Sequence, residues 1–408
     1  MLPSRIVIVG AGQAAAAAID ALRRKGFTGA IALVGEEQSW PYQRPPLSKK
    51  YLAGALAPER LLIRPPHFYA DHAVETYLAR RATHIDRDAQ RVRLDDGTGL
   101  AYDELVLATG SRPRRLEAPG ADLPGVHMLR TVTDVETIRG ELARAQRVVV
   151  VGGGYIGLEV AATCRELGLD VTVLEMADRT MNRVTCAEVS AFVQTEHARR
   201  GVNIVCNTRV RAIAADASSG RARAVVCEDG SEYPAELVIV GVGVAPADEV
   251  AAAAGLDCAN GITVDEFCRT SDPRILAAGD CCIHPSLHYG RRVRLESVDN
   301  AFEQGTSVAL SLLGTPLAHD KVPWFWSDQF DLKLIIVGLN HGYDTLVIRG
   351  TPATRSFSAC YLAGGEFIAI DTVNSAKDQM AARKLIRERA RPNIDKLADP
   401  ALPLRDCL

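Results

Sequence analysis

One pattern occurs twice in this chain and constrains everything else. The first copy reads Val7-Ile-Val-Gly10-Ala-Gly12-Gln-Ala14-Ala15, runs on through the alanine-rich segment 16–25 and stops at Gly26. The second reads Val148-Val-Val-Val-Gly152-Gly-Gly154-Tyr155-Ile156-Gly157-Leu-Glu159 and stops at Gly168. Each is an apolar strand, a glycine turn, a helix and a glycine stop. Each is followed by another apolar strand that ends in an acid, Glu36 in the first and Glu175 in the second. The first glycine of such a turn permits the tight bend, and the second lets backbone approach a pyrophosphate. The third small residue lets helix and strand pack closely. The helix N-terminus then offers unpaired N–H groups and a positive dipole to the phosphates. The acid, about 20 residues on, suits a ribose hydroxyl. Ala15 takes the place of the third glycine in the first copy, which the pattern tolerates.

The repeat extends beyond the turns. Asp95-Asp-Gly97 leads to Glu104-Leu-Val-Leu-Ala-Thr-Gly110-Ser-Arg-Pro113, and Glu228-Asp-Gly230 leads to Glu236-Leu-Val-Ile-Val-Gly-Val-Gly243-Val-Ala-Pro246. Both read as a hairpin turn, then a buried strand, then a glycine loop and proline. The segment 272–280 returns as one more strand and ends in Gly279-Asp280. The predicted fold is therefore α/β, with two Rossmann-like dinucleotide-binding domains, one inserted in the other. From about Asp320 the pattern shifts to antiparallel strands followed by a helix over 377–389, which predicts a smaller α+β domain. The expected boundaries are 1–112 and 244–319 for the first domain, 113–243 for the second and 320–408 for the third.

Composition narrows the function. A net charge of −3 excludes a protein-wide nucleic-acid footprint. The longest apolar runs are strand-sized, well short of the ~18–20 residues of a membrane span. The N-terminus enters a buried strand almost at once, which leaves no room for a cleavable secretory segment, so a cytoplasmic protein is expected. All ten cysteines follow residue 160, and none has Cys-x-x-Cys or Cys-x4-Cys spacing. A disulfide framework, a zinc ribbon and an iron–sulfur loop are thus poorly supported. His284 and His288 are four apart, but Pro285 argues against a helix between them, so no metal site is expected.

With these motifs in place, the sequence closely resembles the FAD-dependent, NADH-linked ferredoxin reductases that serve bacterial cytochrome P-450 systems and Rieske-type oxygenases. The likeness runs nearly end to end. It is carried by Arg44-Pro-Pro-Leu-Ser-Lys49, Leu107-Ala-Thr-Gly-Ser-Arg-Pro113, Leu129-Arg130-Thr131, Gly152–Ala162, Thr270-Ser-Asp-Pro273, Ala278-Gly-Asp280, Glu296-Ser-Val298 and Trp324-Phe-Trp-Ser-Asp-Gln329.

The resemblance implies that the first dinucleotide fold holds FAD and the second NADH. It assigns Gly10, Gly12, Ala14 and Ala15 to the FAD pyrophosphate turn and Glu36 to the adenosine ribose. Arg44 would bind FAD, Arg130 would meet the FAD phosphates, Ala82 adenine, Asp280 the ribitol and the Val298 amide the pyrimidine edge. On the NADH side it assigns Gly152, Gly154, Tyr155 and Ile156 to the pyrophosphate, Glu175 and Arg183 to the adenosine, and Gly243 to the nicotinamide half. A carboxylate at Glu175 favours NADH over NADPH. Lys49 would lie beside the flavin, Glu159 would reach the nicotinamide carboxamide and pair with Lys49, and Trp326 would sit at the flavin edge.

Disulfide reductases of the same superfamily need a redox cysteine pair that is missing here, so electrons are expected to leave the flavin directly. The implied acceptor is a small acidic [2Fe–2S] ferredoxin, for which Arg291, Arg292 and Arg294, with Arg64 and Lys333, form a candidate basic dock. A small-molecule or rubredoxin reductase, an NADH oxidase, or a non-catalytic flavoprotein of the apoptosis-inducing-factor type remain alternatives on the same fold.

Overall fold

The computed structural model describes residues 2–408. They divide into two compact units. The first comprises residues 2–43, 58–112 and 244–323, and the second comprises 44–57, 113–243 and 324–408.

The first unit is built on a five-stranded parallel sheet. Its order is Ile275–Ala277, Glu104–Leu107, Arg5–Val9, Ala30–Gly35, Val74–Leu78. Ile6, Val7 and Ile8 are fully buried, as a β-branched strand covered on both faces must be. The helix Gln13–Arg24 follows the glycine turn and buries a continuous alanine face, Ala14 to Ala18. Alanine is required by what packs there. On the helix Val298–Leu312, a Cβ added at Gly305 would stand 2.4 Å from the Ala14 carbonyl oxygen. The hairpin Arg91–Leu94 with Gly99–Ala101 turns at Gly97, where φ is +87°, as the Asp-Asp-Gly signal predicts.

The second unit repeats the scheme. Its parallel sheet runs Val202–Val205, Asp170–Leu174, Arg147–Val151, Leu237–Val240, Val126–Met128. In both sheets the glycine-turn strand lies between the acid-bearing strand and the strand that enters the Gly-Pro loop. The sheets differ in the strand beyond that one. In the first unit it comes late in the chain (Ile275–Ala277), and in the second it comes early (Val126–Met128). That difference is what inserting one dinucleotide fold into the other produces.

The second unit also contains a five-stranded antiparallel sheet, ordered Trp324–Gln329, Leu332–Gly338, Glu366–Val373, Ser356–Ala363, Thr345–Thr351. The expected α+β ending is present, with the helix at Gln379–Arg387. This sheet shares one core with the second dinucleotide fold: Leu158, Met181, Val189 and Phe192 pack with Leu334, Phe357, Tyr361 and Val373.

The compact units depart from the sequence-derived boundaries in three places. Residues 44–57 group with the second unit, residues 320–323 group with the first, and residues 324–408 join the second dinucleotide fold in one unit instead of forming a third. The first departure has a visible cause. Ser48, Lys49 and Tyr51 bond to Glu159 and Glu136 of the second unit. Among the described residues, no helix is long and apolar enough to cross a membrane.

Candidate functional sites

In the first unit the glycine turn has the geometry its residues require. Gly10 sits at φ +110°, and a Cβ there would come 2.0 Å from the Ala108 carbonyl oxygen, so only glycine fits. Gly12 is different: its φ is −105°, and a Cβ would meet nothing within 4 Å. The space in front of it is open. Gly12 is also the N-cap of Gln13–Arg24, and no side chain caps that helix or puts an acid in its first turn. Unclaimed helix amides facing open space suit a pyrophosphate.

Ala14 and Ala15 are buried beneath this turn. A Cβ added at Gly279 would lie 3.4 Å from that of Ala14, which places Asp280 beside the turn. Asp280 accepts a hydrogen bond from Ser111 Oγ at 2.8 Å. Val298 opens its helix, where the Ser297 hydroxyl takes the Asn300 N–H, so the Val298 amide has no partner within the helix. Glu36 is exposed at the end of its strand and pairs with Arg112 at 3.0 Å, a partner that sequence reading missed. Ala82 starts the strand Ala82–Asp86 and is half-buried. These residues fit the adenine-dinucleotide half of FAD, with an anion cradle, a ribose acid and a polar group at a strand's C-terminal edge.

The second unit carries a second cradle. Gly152 also has φ +110°, and its Cβ would lie 2.4 Å from the Gly241 carbonyl oxygen. Gly154 caps Tyr155–Glu166 without a side-chain bond, and a Cβ there would again meet nothing within 4 Å. Gly157 explains the third glycine of the turn, since its Cβ would strike the Gly152 carbonyl oxygen at 2.0 Å. Ile156 is exposed at the helix start. The Tyr155 ring rests 4.8 Å from that of Phe325.

Glu175 is tied down more firmly than Glu36. Its two oxygens accept the Gly153 N–H at 2.6 Å and the Ala177 N–H at 2.8 Å, which fixes the acid at the lip of the turn. Arg183 is exposed, and its guanidinium lies 3.5 Å from where a Gly243 Cβ would be. The second cradle therefore gathers Gly152, Gly154, Glu175, Arg183 and Gly243 in one unit and fits NAD(H).

Lys49 and Glu159 meet at 2.8 Å in this second unit, as expected from the resemblance. Glu159 is 1% exposed, and its carboxylate takes two further donors, Ser48 Oγ at 2.5 Å and Ser327 Oγ at 2.7 Å. Thr163, one turn on from Glu159, donates to the Ser48 carbonyl at 2.9 Å and locks the turn onto the helix. Neither serine was singled out from sequence. The strand 324–329 carried a signal, because alternation puts Phe325, Ser327 and Gln329 on one face and Trp324, Trp326 and Asp328 on the other. Ser327 and Gln329 are the two buried residues of that strand. Trp326 stacks on Trp324 with ring centroids 5.4 Å apart.

Arg44 and Arg130 also belong to the second unit, where Arg44 donates to the Arg130 carbonyl at 2.7 Å. Arg130 precedes a capping box: Asp134 accepts the Arg130 and Thr131 amides, and Thr131 Oγ accepts the Asp134 amide.

The chain matches the pyridine nucleotide-disulphide oxidoreductase family over residues 4–305 and the reductase C-terminal family over 324–408. It belongs to the pyridine nucleotide-disulphide oxidoreductases. It is 44% identical to rhodocoxin reductase of Rhodococcus erythropolis over 98% of this chain and 93% of that protein. It is also 44% identical to putidaredoxin reductase of Pseudomonas putida, over 99% and 96% of the two chains. The crystal structure of a covalent putidaredoxin reductase–putidaredoxin complex superposes with a TM-score of 0.96 at 43% identity, covering 99% of this chain and 98% of that one. The cofactors of this oxidoreductase family are FAD and NAD(H).

Among the described residues no cystine is found, and all ten cysteines are free. Eight are buried, and Cys206 and Cys258 are half-buried. Burial pushes the Cys164 thiol up to about 12 and raises Cys281, Cys282 and Cys360 as well, so these stay as unreactive thiols. Of the basic residues considered for docking, Arg64 pairs with Asp20 at 2.8 Å and Arg292 donates to the Val264 carbonyl. Arg294 is 11% exposed and holds Glu296 at 2.7 Å, so its charge is turned inward. Arg291 is exposed on the strand Arg291–Val293, and Lys333 is exposed in the other unit. His284 lies on the strand Cys282–Ser286, and among the described residues no metal-binding group of three side chains is found.

Proposed function

We propose that this protein is a cytoplasmic ferredoxin–NAD(+) reductase. It takes electrons from NADH through FAD and delivers them to a [2Fe–2S] ferredoxin that supplies a cytochrome P-450 or a Rieske-type oxygenase. The observation that carries this reading is the pair of uncapped glycine-turn helices, one per unit, in a chain whose thiols are all unpaired and mostly buried. Two dinucleotide cradles without a thiol relay suit transfer from one nucleotide to the other and then outward. The end-to-end similarity to ferredoxin reductases supports the choice of acceptor.

FAD, when bound, supplies the ability to take two electrons at once and release them singly. The chain's own work is placement and electrostatics. Gly12 and Gly154 present helix amides to the two pyrophosphates, with Gly10 and Gly152 making the turns that aim them. Glu36 and Glu175 accept ribose hydroxyls. Glu159 accepts from the nicotinamide carboxamide and holds Lys49, whose charge favours electron density arriving nearby. No side chain needs to act as a general acid or base. Arg291 and Arg292 form the docking edge for an acidic ferredoxin.

The test mixes purified FAD-loaded protein with NADH and either ferredoxin plus cytochrome c, ferricyanide, or air. Ferredoxin-dependent cytochrome c reduction that weakens as salt rises supports the reading. Rapid oxygen consumption without a partner would instead show an NADH oxidase. Reduction that stalls in a long-lived complex would show an assembly protein.

A further inference from the structure

Glu159 sits at the end of a buried hydrogen-bond chain whose other members come from parts of the second unit with no assigned role. Ser327 Oγ donates to Glu159 Oε1 at 2.7 Å. Gln329 Nε2 donates to Ser327 Oγ at 3.1 Å, and His197 Nε2 meets Gln329 Oε1 at 2.9 Å. Ser327, Gln329 and His197 are all buried, His197 and Ser327 completely.

The direction of this chain is forced. A serine has one proton to give, and Ser327 gives it to a carboxylate. Its oxygen must then accept from the Gln329 amide nitrogen. That turns Gln329 Oε1 toward His197, so His197 Nε2 must carry a proton. Burial lowers the His197 pKa, and the nearby Arg200 does the same, so the ring is neutral with its proton on Nε2. His197 Nδ1 is left buried without a partner. Three consecutive donors therefore point the same way and polarise one another toward Glu159.

A carboxylate offers about four lone-pair sites. Ser48, Lys49 and Ser327 fill three of those on Glu159. Ser48 and Lys49 share Oε2, so the remaining one is on Oε1, the oxygen that Ser327 meets.

We propose that His197, Gln329 and Ser327 are positioning residues: a one-way hydrogen-bond chain that orients Glu159 and leaves one carboxylate lone pair aimed at the nicotinamide carboxamide. This rests on the reading that Glu159 faces the nicotinamide. Other charged and titratable groups near the chain are few. Lys49 faces Glu159 from the 45–49 turn, Tyr155 lies one turn earlier on the same helix, and Glu196 and Arg200 flank His197.

The test uses the full-length FAD-loaded protein and four variants: Ser327→Ala, Ser327→Thr, Gln329→Met and Glu159→Gln. Infrared difference spectra read the carboxylate stretch of Glu159 directly, and single-turnover mixing with NADH gives the affinity for NADH. Losing one donor to the carboxylate should shift that stretching band in Ser327→Ala. The same variant should weaken NADH binding about tenfold. Ser327→Thr should restore both, and Gln329→Met should shift both in the same direction by less.

A wild-type carboxylate band and wild-type NADH binding in Ser327→Ala, with Glu159→Gln impaired, would overturn the chain while leaving the site intact. If Glu159→Gln also binds and oxidises NADH normally, the underlying site reading fails and the proposal with it. Should Ser327→Ala not fold, the absence of any shift in Gln329→Met overturns the proposal.

Discussion

The Lys49 ammonium lies 2.8 Å from the Glu159 carboxylate, and that carboxylate is 99% removed from solvent. The lysine stands just after the proline turn Pro45–Ser48, and the glutamate stands on the helix Tyr155–Glu166. A charge buried to this degree is stable only with its partners in place, so the pair ties the turn to the helix and fixes the charges in the proposed nicotinamide site.

Removing the lysine should therefore cost more than a surface ion pair would. Lys49→Met leaves Glu159 buried with hydroxyl donors only, and the expected loss is about 3 kcal/mol in urea unfolding. The double variant Lys49→Met/Glu159→Gln should lose less than the sum of the two single variants, because the uncompensated charge is gone. Additive losses would show that the two side chains do not interact.

Gly10 and Gly12 should separate folding from cofactor binding. Gly10→Ala adds a Cβ 2.0 Å from the Ala108 carbonyl oxygen at a φ of +110°, and should destabilise the apoprotein by about 3 kcal/mol. Gly12→Ala adds a Cβ where nothing lies within 4 Å, so the apoprotein should melt near the wild-type temperature. Its FAD affinity should fall about a hundredfold, the equivalent of roughly two charge-assisted hydrogen bonds. Calorimetric melting of apoprotein and fluorescence titration with FAD read the two effects apart.

Glu175 should set coenzyme preference. Its carboxylate is held at the turn by the Gly153 and Ala177 amides, where it would repel a 2′-phosphate. Glu175→Gln keeps the shape but drops the charge. The ratio of kcat/KM for NADH over NADPH should fall about tenfold. An unchanged ratio would mean that preference is decided elsewhere.

Asp371 should make stability depend on pH. Burial raises its pKa from 3.8 to about 7, partly offset by hydrogen bonds from Thr185 and Tyr361. Between these values the folded chain keeps a proton that the unfolded chain has lost. This contribution is therefore complete below about pH 4 and declines as pH rises through about 7, by roughly 2–4 kcal/mol. Asp371→Asn should flatten that decline and be more stable than wild type above about pH 7. Urea midpoints measured across this range would show it.

The sequence by itself determined the two dinucleotide folds, because each needs only local chemistry. A β-branched strand, a glycine turn at positive φ and a small-residue helix face lie within one short window, and in the second copy the contact of Gly157 with the Gly152 carbonyl lies within that window too. The antiparallel ending was equally legible from its alternating strands. Only the tertiary structure decided how the 45–49 turn, the helix Tyr155–Glu166 and the strand Trp324–Gln329 converge on Glu159. Their meeting depends on packing between segments far apart in the chain. Nothing local in Ser48, Ser327, Gln329 or His197 marks a hydrogen-bond partner, since any of these residue types is equally at home on a surface. Likewise, Glu36 and Glu175 hold equivalent places in the repeat. The fold leaves one exposed to Arg112 and fastens the other to backbone amides. That difference arises from what the loop after each strand does, and the shared motif carries no record of it.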